Sequence, residues 1–232
     1  MIKQTPGRLY LAEQHGTLTT AQSSRSSVFS FGAFADVQRP AEGRLLAFNE
    51  ETLSGGQQLT LPNSLAAYCV VVPLTGGIGC GDALSQEVVQ VEEVWVARVP
   101  AGRAVVLTNP YPDAAVSFLH IWLADAAAPV AARAELFQYT FQQLESGLLE
   151  VTGGSVQLPF ALSLGRFTGR QEAIYQPRRP DSLFFAYVLA GAFEIEGRLL
   201  HAKDGLALWQ VAETELEALS NNALVVVLEV AP

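Results

Sequence analysis

The 232-residue chain has few lysines, and this shortage excludes classes of function. Lys3 and Lys203 are its only lysines, and the formal net charge is −9. No basic stripe is therefore available to neutralise phosphates, which disfavours nucleic acid and an anionic membrane surface as partners. No segment approaches the roughly 20 apolar residues that cross a bilayer. We expect neither nucleic acid nor a membrane as a partner.

Cysteine and histidine are also scarce, with two and three residues in the chain. Cys69 and Cys80 are the only cysteines, and without a nearby histidine they do not form a zinc site. The first residues show no apolar segment typical of a signal peptide. We therefore expect a cytoplasmic, reducing location, in which both cysteines are buried free thiols rather than a disulfide.

The sequence is rich in short apolar and β-branched segments divided by glycine and proline turns. This pattern is typical of an all-β sandwich or jelly roll and not of alternating strands and helices. The predicted strands are Arg8–Ala12, Val28–Gly32, Gly43–Asn49, Leu65–Leu74, Ile78–Asp82, two between Val88 and Val99, Ala104–Thr108, Ala115–Leu123, Leu158–Leu164, Gln171–Tyr175, Ser182–Leu189, Phe193–Glu196, Leu206–Gln210, Glu213–Ala218 and Leu224–Val230.

A repeated pattern divides the chain into halves. In each half an apolar strand runs into a glycine turn, at Thr75-Gly76-Gly77 and again at Ala190-Gly191, and a second strand follows. We interpret the first turn as a hairpin. The pattern predicts two stacked β-barrels, an N-terminal domain over 1–124 and a C-terminal domain over 151–232. The alanine-rich linker over 125–150 is predicted to contain a short helix from Pro129 to about Phe137.

Several motifs, in order along almost the whole chain, resemble those of the pirin family. They are His15-Gly16-Thr17-Leu18, Phe29-Ser30-Phe31-Gly32, Asn49-Glu50-Glu51, Pro100-Ala101-Gly102, Ile121-Trp122 and Asp204-Gly205-Leu206-Ala207-Leu208-Trp209. The chain is most similar to bacterial members with quercetin 2,3-dioxygenase-like activity. This resemblance implies a bicupin fold. It also implies three histidines and a glutamate in the N-terminal cupin that hold iron or a similar divalent metal.

The matching positions in this chain carry other residues. The family's His-Pro-His falls on Leu61-Pro62-Asn63 or, without a gap, on Pro62-Asn63-Ser64, and its His-Ser-Glu falls on Leu107-Thr108-Asn109. Leucine and proline side chains have no donor atom, and asparagine, serine and threonine are weak neutral ligands for a transition metal. We therefore expect no metal and no other cofactor.

The same positions define a predicted ligand pocket in the first barrel. It would be a mostly apolar cavity with two amides near its mouth, which suits a small aromatic ligand. His120, on the last strand of this barrel, is expected to be either a hydrogen-bonded core histidine or a functional group pointing inward. The predicted pocket residues are Leu61, Asn63, Ser64, Leu107, Asn109 and His120.

Two groups of charged residues have structural interpretations. Glu50 and Glu51 are predicted to be a solvated strand end rather than an acid–base pair. An arginine cluster in the second half is expected to pair with the acidic excess, with anion binding as the alternative. Its members are Arg166, Arg170, Arg178 and Arg179.

Three hypotheses for function remain open. The first is a monomeric cupin without a metal that binds a small aromatic ligand or a protein partner. The second is a quercetinase-type dioxygenase with a displaced metal site. The third is a metal-free catalyst or small-ligand sensor that uses His120, or Asn63 with Asn109. The number of imidazoles that converge in the first barrel distinguishes the second hypothesis from the others.

Overall fold

The computed structural model of the chain describes residues 5–127, 133–154 and 158–232. Its regular structure there is almost entirely β-strand. The elements are β1 (Gly7–Tyr10), a 3₁₀ turn (Ala12–Gln14), β2 (Gly16–Thr19), β3 (Ser23–Ser27), β4 (Leu45–Leu53), β5 (Gln58–Pro62), β6 (Ala67–Thr75), β7 (Ile78–Gly81), β8 (Gln86–Val89), β9 (Glu93–Val99), β10 (Ala104–Thr108), β11 (Val116–Ala124), β12 (Arg133–Gln138), α1 (Phe141–Leu144), β13 (Leu149–Glu150), β14 (Phe160–Phe167), β15 (Glu172–Tyr175), β16 (Leu183–Ala190), β17 (Ala192–Ile195), β18 (Arg198–His201), β19 (Gly205–Leu208), β20 (Thr214–Ala218) and β21 (Ala223–Val230).

The N-terminal unit comprises His15–Gln138. Its seven-stranded sheet has the order β12-β9-β6-β11-β4-β3-β2, and its four-stranded sheet has the order β5-β10-β7-β8. Successive side chains of a strand point to opposite faces of the sheet. One face of each sheet therefore supplies a shared apolar core, which includes Cys69, Phe118 and Trp122 from the large sheet and Leu61 and Leu107 from the small one.

The C-terminal unit combines the described parts of Met1–Gln14 and Tyr139–Pro232. Its six-stranded sheet has the order β1-β19-β16-β21-β14-β13, and its four-stranded sheet has the order β15-β20-β17-β18. The core is apolar and contains Phe184, Phe193, Val225 and Val227. The last strand is almost fully buried, since seven of the eight residues of β21 are buried.

The predicted internal repeat is visible in the topology of the two units. In each unit an apolar strand of the large sheet ends at a glycine and the chain continues into the small sheet, from β6 to β7 and from β16 to β17. Gly76 has a φ of +67° and Gly191 a φ of +78°, a backbone conformation that glycine adopts readily. The interpretation of Thr75-Gly76-Gly77 as a hairpin is wrong, because β6 and β7 lie in different sheets.

The boundaries between the domains differ from the predicted ones. Residues 133–137 of the predicted helix form most of β12, whereas its first residues lie outside the described part of the chain. β12 pairs with β9, with Leu136 opposite Trp95. Sheet pairing therefore overrides the helix propensity of the alanine-rich segment. The N-terminal unit extends to Gln138, and residues before His15 group with the C-terminal unit.

Some local predictions also require correction. The strand predicted at Val28–Gly32 is wrong. The residues that pair with β4 are those of β3, directly before Val28 in the chain. β2 and β5 are absent from the predicted strands, because their polar side chains hide a strand pattern. The strand predicted at Leu65–Leu74 is observed as β6, and its residues 67–73 are buried on both faces. Cys69 and Cys80 are buried free thiols, as expected. Within the described residues, no helix is long and apolar enough to cross a membrane.

Candidate functional site

Strands β5 and β10 place two of the predicted pocket residues inside the first barrel. Leu61 lies opposite Val105, and Leu107 lies between its cross-strand neighbours Leu59 and Cys80. The exposed fraction is 2% for Leu61 and 0% for Leu107. Both side chains belong to the packed apolar core of the N-terminal unit. They therefore fill the barrel interior.

Asn109 follows β10 directly and is buried, with 1% of its surface exposed. Its Nδ2 donates to three backbone carbonyl oxygens, those of Leu53 at 2.9 Å, Ser54 at 3.0 Å and Ala114 at 2.7 Å. Its Oδ1 accepts from the backbone N–H of Tyr111 at 3.0 Å. The amide therefore fastens the loops at this end of the barrel together, and its donor hydrogens are already engaged.

Asn63 and Ser64 lie just beyond β5. The Nδ2 of Asn63 is 3.4 Å from the carbonyl oxygens of Val99 and Pro100, to which it donates long hydrogen bonds. Ser64 is exposed. The predicted pocket residues thus divide into core leucines, loop-fastening amides and an exposed hydroxyl. A ligand pocket formed by all six predicted residues therefore stays a prediction.

An open groove lies beside these positions, at the side of the barrel where β8 and β10 approach β9 and β12. Its volume is about 1060 Å³. Trp95 is held there by its indole N–H, which donates to Oε1 of Glu87 at 2.7 Å. The groove is lined by Gln58, Thr60, Cys80, Gly81, Asp82, Ala83, Leu84, Ser85, Glu87, Trp95, Ala97, Val99, Gly102, Arg103, Ala104, Val105, Val106, Arg133 and Ala134.

The floor of the groove adjoins the positions that match the family's metal ligands. Val105 in the floor is the cross-strand partner of Leu61, and Cys80 in the floor is the partner of Leu107. Burial raises the pKa of the Cys80 thiol well above its usual range, so this thiol stays protonated and apolar. The groove therefore combines a floor of core side chains with a polar rim.

A buried polar cluster occupies another part of the same barrel. It consists of Arg25, Asn49, Glu51 and His120, which lie on β3, β4 and β11. Arg25 Nε donates to Oε2 of Glu51 at 2.5 Å, and the exposed fractions of these side chains are 9% and 0%. Arg25 also lies over the ring of Phe31, 5.0 Å from its centroid. The cluster is thus an ion pair with two neutral neighbours, covered in part by an aromatic ring.

His120 is a core histidine whose tautomer follows from its neighbours. The indole N–H of Trp122 donates to Nδ1 of His120 at 3.1 Å. Because an indole can only donate, Nδ1 carries no proton and Nε2 does. Nε2 lies 3.5 Å from Oε2 of Glu51. Burial lowers the pKa of His120, against an opposing effect of Glu51, so the ring is neutral near neutral pH.

Several polar atoms of this cluster lack hydrogen-bond partners within the described structure. They are Nδ2 and Oδ1 of Asn49, Oε1 of Glu51 and Nε2 of His120. All three residues have an exposed fraction of 0%. Asn49 and His120 are direct cross-strand partners, and Glu51 is two residues from Asn49 on the same face of β4. The cluster thus presents donors and acceptors to one buried region.

The interpretation of Glu51 as part of a solvated strand end is wrong. Glu51 shares a face of β4 with Ala47 and Leu53, which belong to the apolar core. The alternation of side chains along Leu45–Leu53 indicates that Glu51 lies on the inward face of the strand. Arg25 was missed altogether, since nothing local to β3 indicates that it pairs with a residue 26 positions away.

The donor set in the first barrel does not fit the metal that the family resemblance implies. The matched positions carry Leu61, Asn63, Leu107 and Asn109 instead of three imidazoles and a carboxylate. The alkyl groups donate nothing, and the amides are committed to backbone carbonyls. Among residues 5–127, 133–154 and 158–232, no group of three or more His, Cys, Asp or Glu is arranged to hold a metal ion.

The remaining candidates have structural roles. The predicted pairing of the arginine cluster is confirmed, because Arg166 contacts Glu145, Arg170 contacts Glu217, Arg178 contacts Glu150 and Arg179 contacts Asp181. The other two histidines lie elsewhere. His15 is buried, with Nδ1 3.1 Å from Oγ of Ser26, and His201 is exposed in the C-terminal unit.

Two barrels of equivalent topology in one chain define the class of protein as a bicupin. Over its whole length the chain is similar to the crystal structure of YhhW from Escherichia coli, with 19% identity, 98% of each chain covered and a TM-score of 0.86. It is also similar to bacterial pirin YhhW in complex with nickel(II), with 17% identity, 98% of this chain and 100% of that chain covered, and a TM-score of 0.84. A quercetin 2,3-dioxygenase from Acinetobacter baumannii has 12% identity, 100% and 88% coverage, and a TM-score of 0.75.

At these identities the structural likenesses establish the fold. Residues 154–230 match the family of the quercetinase C-terminal cupin domain, whereas no curated protein matches the sequence. The chain is therefore similar to pirin-like bicupins, and its match to the quercetinase C-terminal cupin domain family is limited to residues of the C-terminal domain. The resemblance to the pirin family and the predicted all-β bicupin fold are confirmed.

Proposed function

We propose that the protein is a metal-independent binding cupin whose N-terminal domain takes a small aromatic molecule in the groove. One observation carries the proposal. Side chains at the positions that match the family's metal ligands contribute to the barrel, since Leu61 and Leu107 lie in the core and Asn109 donates to three backbone carbonyl groups. A metal at these positions would have to displace both kinds of contact.

The chemistry of the donors supports the same proposal. A divalent transition metal is held by imidazoles and carboxylates, whose bonds offset the loss of its hydration. Asn109 stands where the family resemblance implies a carboxylate, so the charge that would offset the desolvation of the ion is missing. His120 is the one histidine with an exposed fraction of 0% among the described residues of this unit, whereas His15 contacts Ser26, and a single imidazole binds a divalent ion weakly.

The shape and lining of the groove favour a small aromatic ligand. Its volume of about 1060 Å³ is at the upper end of the range for small-molecule sites. Trp95, Val99 and Val105 offer apolar surface for a ring. Asp82 and Arg103 at the rim supply polar contacts. Hydrogen bonds from the backbone N–H groups of Leu84 and Ser85, and to a smaller extent the charge of Arg103, lower the pKa of Asp82. Apolar walls with a few polar groups suit this class of ligand.

The metal part of the proposal is tested by elemental analysis of protein purified without chelators, together with oxygen uptake in the presence of quercetin. We expect less than about 0.1 equivalent of iron, copper, nickel or zinc and no oxygen uptake. Stoichiometric metal with quercetin-dependent oxygen uptake would overturn the proposal in favour of a dioxygenase with a displaced metal site.

The binding part is tested with toluene as the probe and ¹⁵N-labelled protein. The indole N–H of Trp95 lies at the groove, bonded to Glu87, so its resonance should shift as toluene is added. Ala134→Trp places a large side chain at the exposed rim and should abolish the shift. Ala202→Trp, at an exposed turn of the C-terminal unit, is the matched control and should leave it unchanged. No shift in the unmodified protein would contradict binding in the groove.

A further inference from the structure

The buried polar cluster contains a donor and an acceptor that lie close together without a direct hydrogen bond. Nε2 of His120 is 3.5 Å from Oε2 of Glu51, which is longer than the roughly 2.7–3.2 Å of an N–H···O hydrogen bond. Oε1 belongs to the same carboxylate, and neither it nor Nε2 has a hydrogen-bond partner within the described residues. Both side chains have an exposed fraction of 0%, so bulk solvent does not reach them.

The neighbouring side chains do not supply the missing partners. The indole N–H of Trp122 is engaged with Nδ1 of His120, and Nε of Arg25 donates to Oε2 of Glu51. The amide of Asn49 makes no hydrogen bond to either group in the described structure. Most buried polar groups in folded proteins are paired with protein groups or with ordered water. The donor and the acceptor therefore require a group that does not come from the described chain.

The chemistry of the cluster restricts this group to a neutral one that both donates and accepts. The charge of Glu51 is matched by that of Arg25, so an ion would lose its hydration without compensation. A metal ion does not fit, because the indole donor at Nδ1 of His120 leaves the proton on Nε2 and no lone pair there. A neutral O–H group accepts from Nε2–H and donates to Oε1 at the same time.

The surroundings of His120 restrict the group to a very small one. Val71, its cross-strand partner, is fully buried. The ring centroids of Phe31 and Phe118 lie 5.4 and 6.3 Å from that of the imidazole. The groove lies on the other side of Val71, at Trp95, so a ligand in the groove does not reach the imidazole. Water is the smallest neutral molecule that combines a donor with an acceptor.

We propose that the buried polar cluster is a binding site for one internal water molecule, held between Nε2–H of His120 and Oε1 of Glu51. The water accepts from the imidazole and donates to the carboxylate, and ordered water commonly satisfies buried groups in this way. It completes a hydrogen-bonded chain through the barrel interior, which runs from Trp122 through His120 and Glu51 to Arg25. This site is independent of the ligand proposed for the groove.

A high-resolution crystal structure of the unmodified protein locates the water. We expect one density peak within hydrogen-bond distance, roughly 2.6–3.2 Å, of both Nε2 of His120 and Oε1 of Glu51. The absence of such a peak, for instance because the two atoms bond directly to each other, would overturn the inference.

Deuteron magnetic relaxation dispersion counts the long-lived water molecules in solution and assigns this one to its residues. His120→Leu removes the donor and should release one water molecule relative to the unmodified protein. Val227→Leu changes an apolar core residue of the C-terminal barrel. It is the matched control and should leave the count unchanged.

The count also shows which results contradict the proposal. An unchanged count in His120→Leu, or an equal fall in Val227→Leu, would overturn it. The double variant Arg25→Met/Glu51→Leu covers the case in which His120→Leu does not fold. It removes the acceptor without leaving an unpaired charge, so it should also release one water molecule, and an unchanged count would again contradict the site.

Discussion

The two barrels of this chain have the same strand topology but different interiors. Val71 and Ala186 stand the same number of residues before Gly76 and Gly191, so they occupy equivalent positions. Val71 is the partner of His120, and Ala186 is the partner of Val227. A histidine in the first barrel thus corresponds to a valine in the apolar core of the second.

The difference extends to the neighbouring strand. Asn49 is the partner of His120 in the first barrel, and Ser163 is the partner of Val227 in the second. Two residues further along, Glu51 of the first barrel corresponds to Gly165 of the second. At these equivalent positions the described part of the C-terminal barrel therefore carries small or apolar residues and no charged pair. The fold itself therefore does not require the buried polar cluster.

The largest effect is expected from breaking the ion pair that distinguishes the first barrel. Glu51→Leu leaves the guanidinium of Arg25 buried without its partner, which should lower the free energy of unfolding by about 3–5 kcal/mol. The measurement is urea denaturation followed by tryptophan fluorescence. The double variant Arg25→Met/Glu51→Leu should recover most of the loss, because no unpaired charge remains. A single variant as stable as the unmodified protein would show that this pair is not desolvated.

A second prediction introduces a histidine into the C-terminal barrel, at the position equivalent to His120. Val227→His puts a polar ring among apolar side chains of the C-terminal core, without the tryptophan donor that His120 has. We expect the free energy of unfolding to fall by about 3 kcal/mol, from an unpaired polar group and from overpacking. Val227→Leu controls for the change in size. Equal effects of the two substitutions in chemical denaturation would show that polarity does not distinguish the barrels.

The free energy of unfolding should depend on pH through His120 in the first barrel. The folded state lowers the pKa of His120 through burial, so below the unfolded pKa of about 6.5 the unfolded chain binds the extra proton. Stability therefore falls as the pH decreases from 6.5, by about 1.4 kcal/mol per pH unit until the folded pKa is reached.

The measurement for this prediction is denaturant unfolding at pH 7.5 and 5.5. His120→Leu should remove the part of the pH dependence that comes from the core. His201→Leu, at an exposed position of the C-terminal unit, should keep it. The same slope in the His120 variant would mean that other groups account for the dependence.

The smallest effect is expected from removing the unpartnered amide. Asn49→Leu replaces a buried side chain that has no partners by an apolar one of similar volume, and should raise the free energy of unfolding by about 1 kcal/mol. Ser163→Ala at the equivalent position should change it by less than about 0.5 kcal/mol. A clear loss of stability in Asn49→Leu, measured by thermal unfolding, would show that the amide of Asn49 stabilises the fold.

The sequence alone determined the strand pattern, the glycine turns and the bicupin fold, because short apolar strands and punctuating glycines are local signals. It also shows that the positions matched to the family's metal ligands carry no histidine; they include Leu61, Asn63, Leu107 and Asn109. It did not determine the structure of Arg133–Gln138. Helix propensity predicts a helix there, but the segment forms a strand because it pairs with the edge strand β9.

Only the tertiary structure decided which charged residues lie inside the first barrel. Alternation along a strand shows which residues share a face, but Glu51 becomes an interior residue only once β3 and β11 flank β4 and bring Arg25 and His120 beside it. The hydrogen bonds from Asn109 to the carbonyl groups of Leu53 and Ser54, more than 50 residues away, likewise depend on loops that meet only in the folded chain. Pairing between residues far apart in sequence has no local signal, which is the physical reason that the cluster could not be predicted.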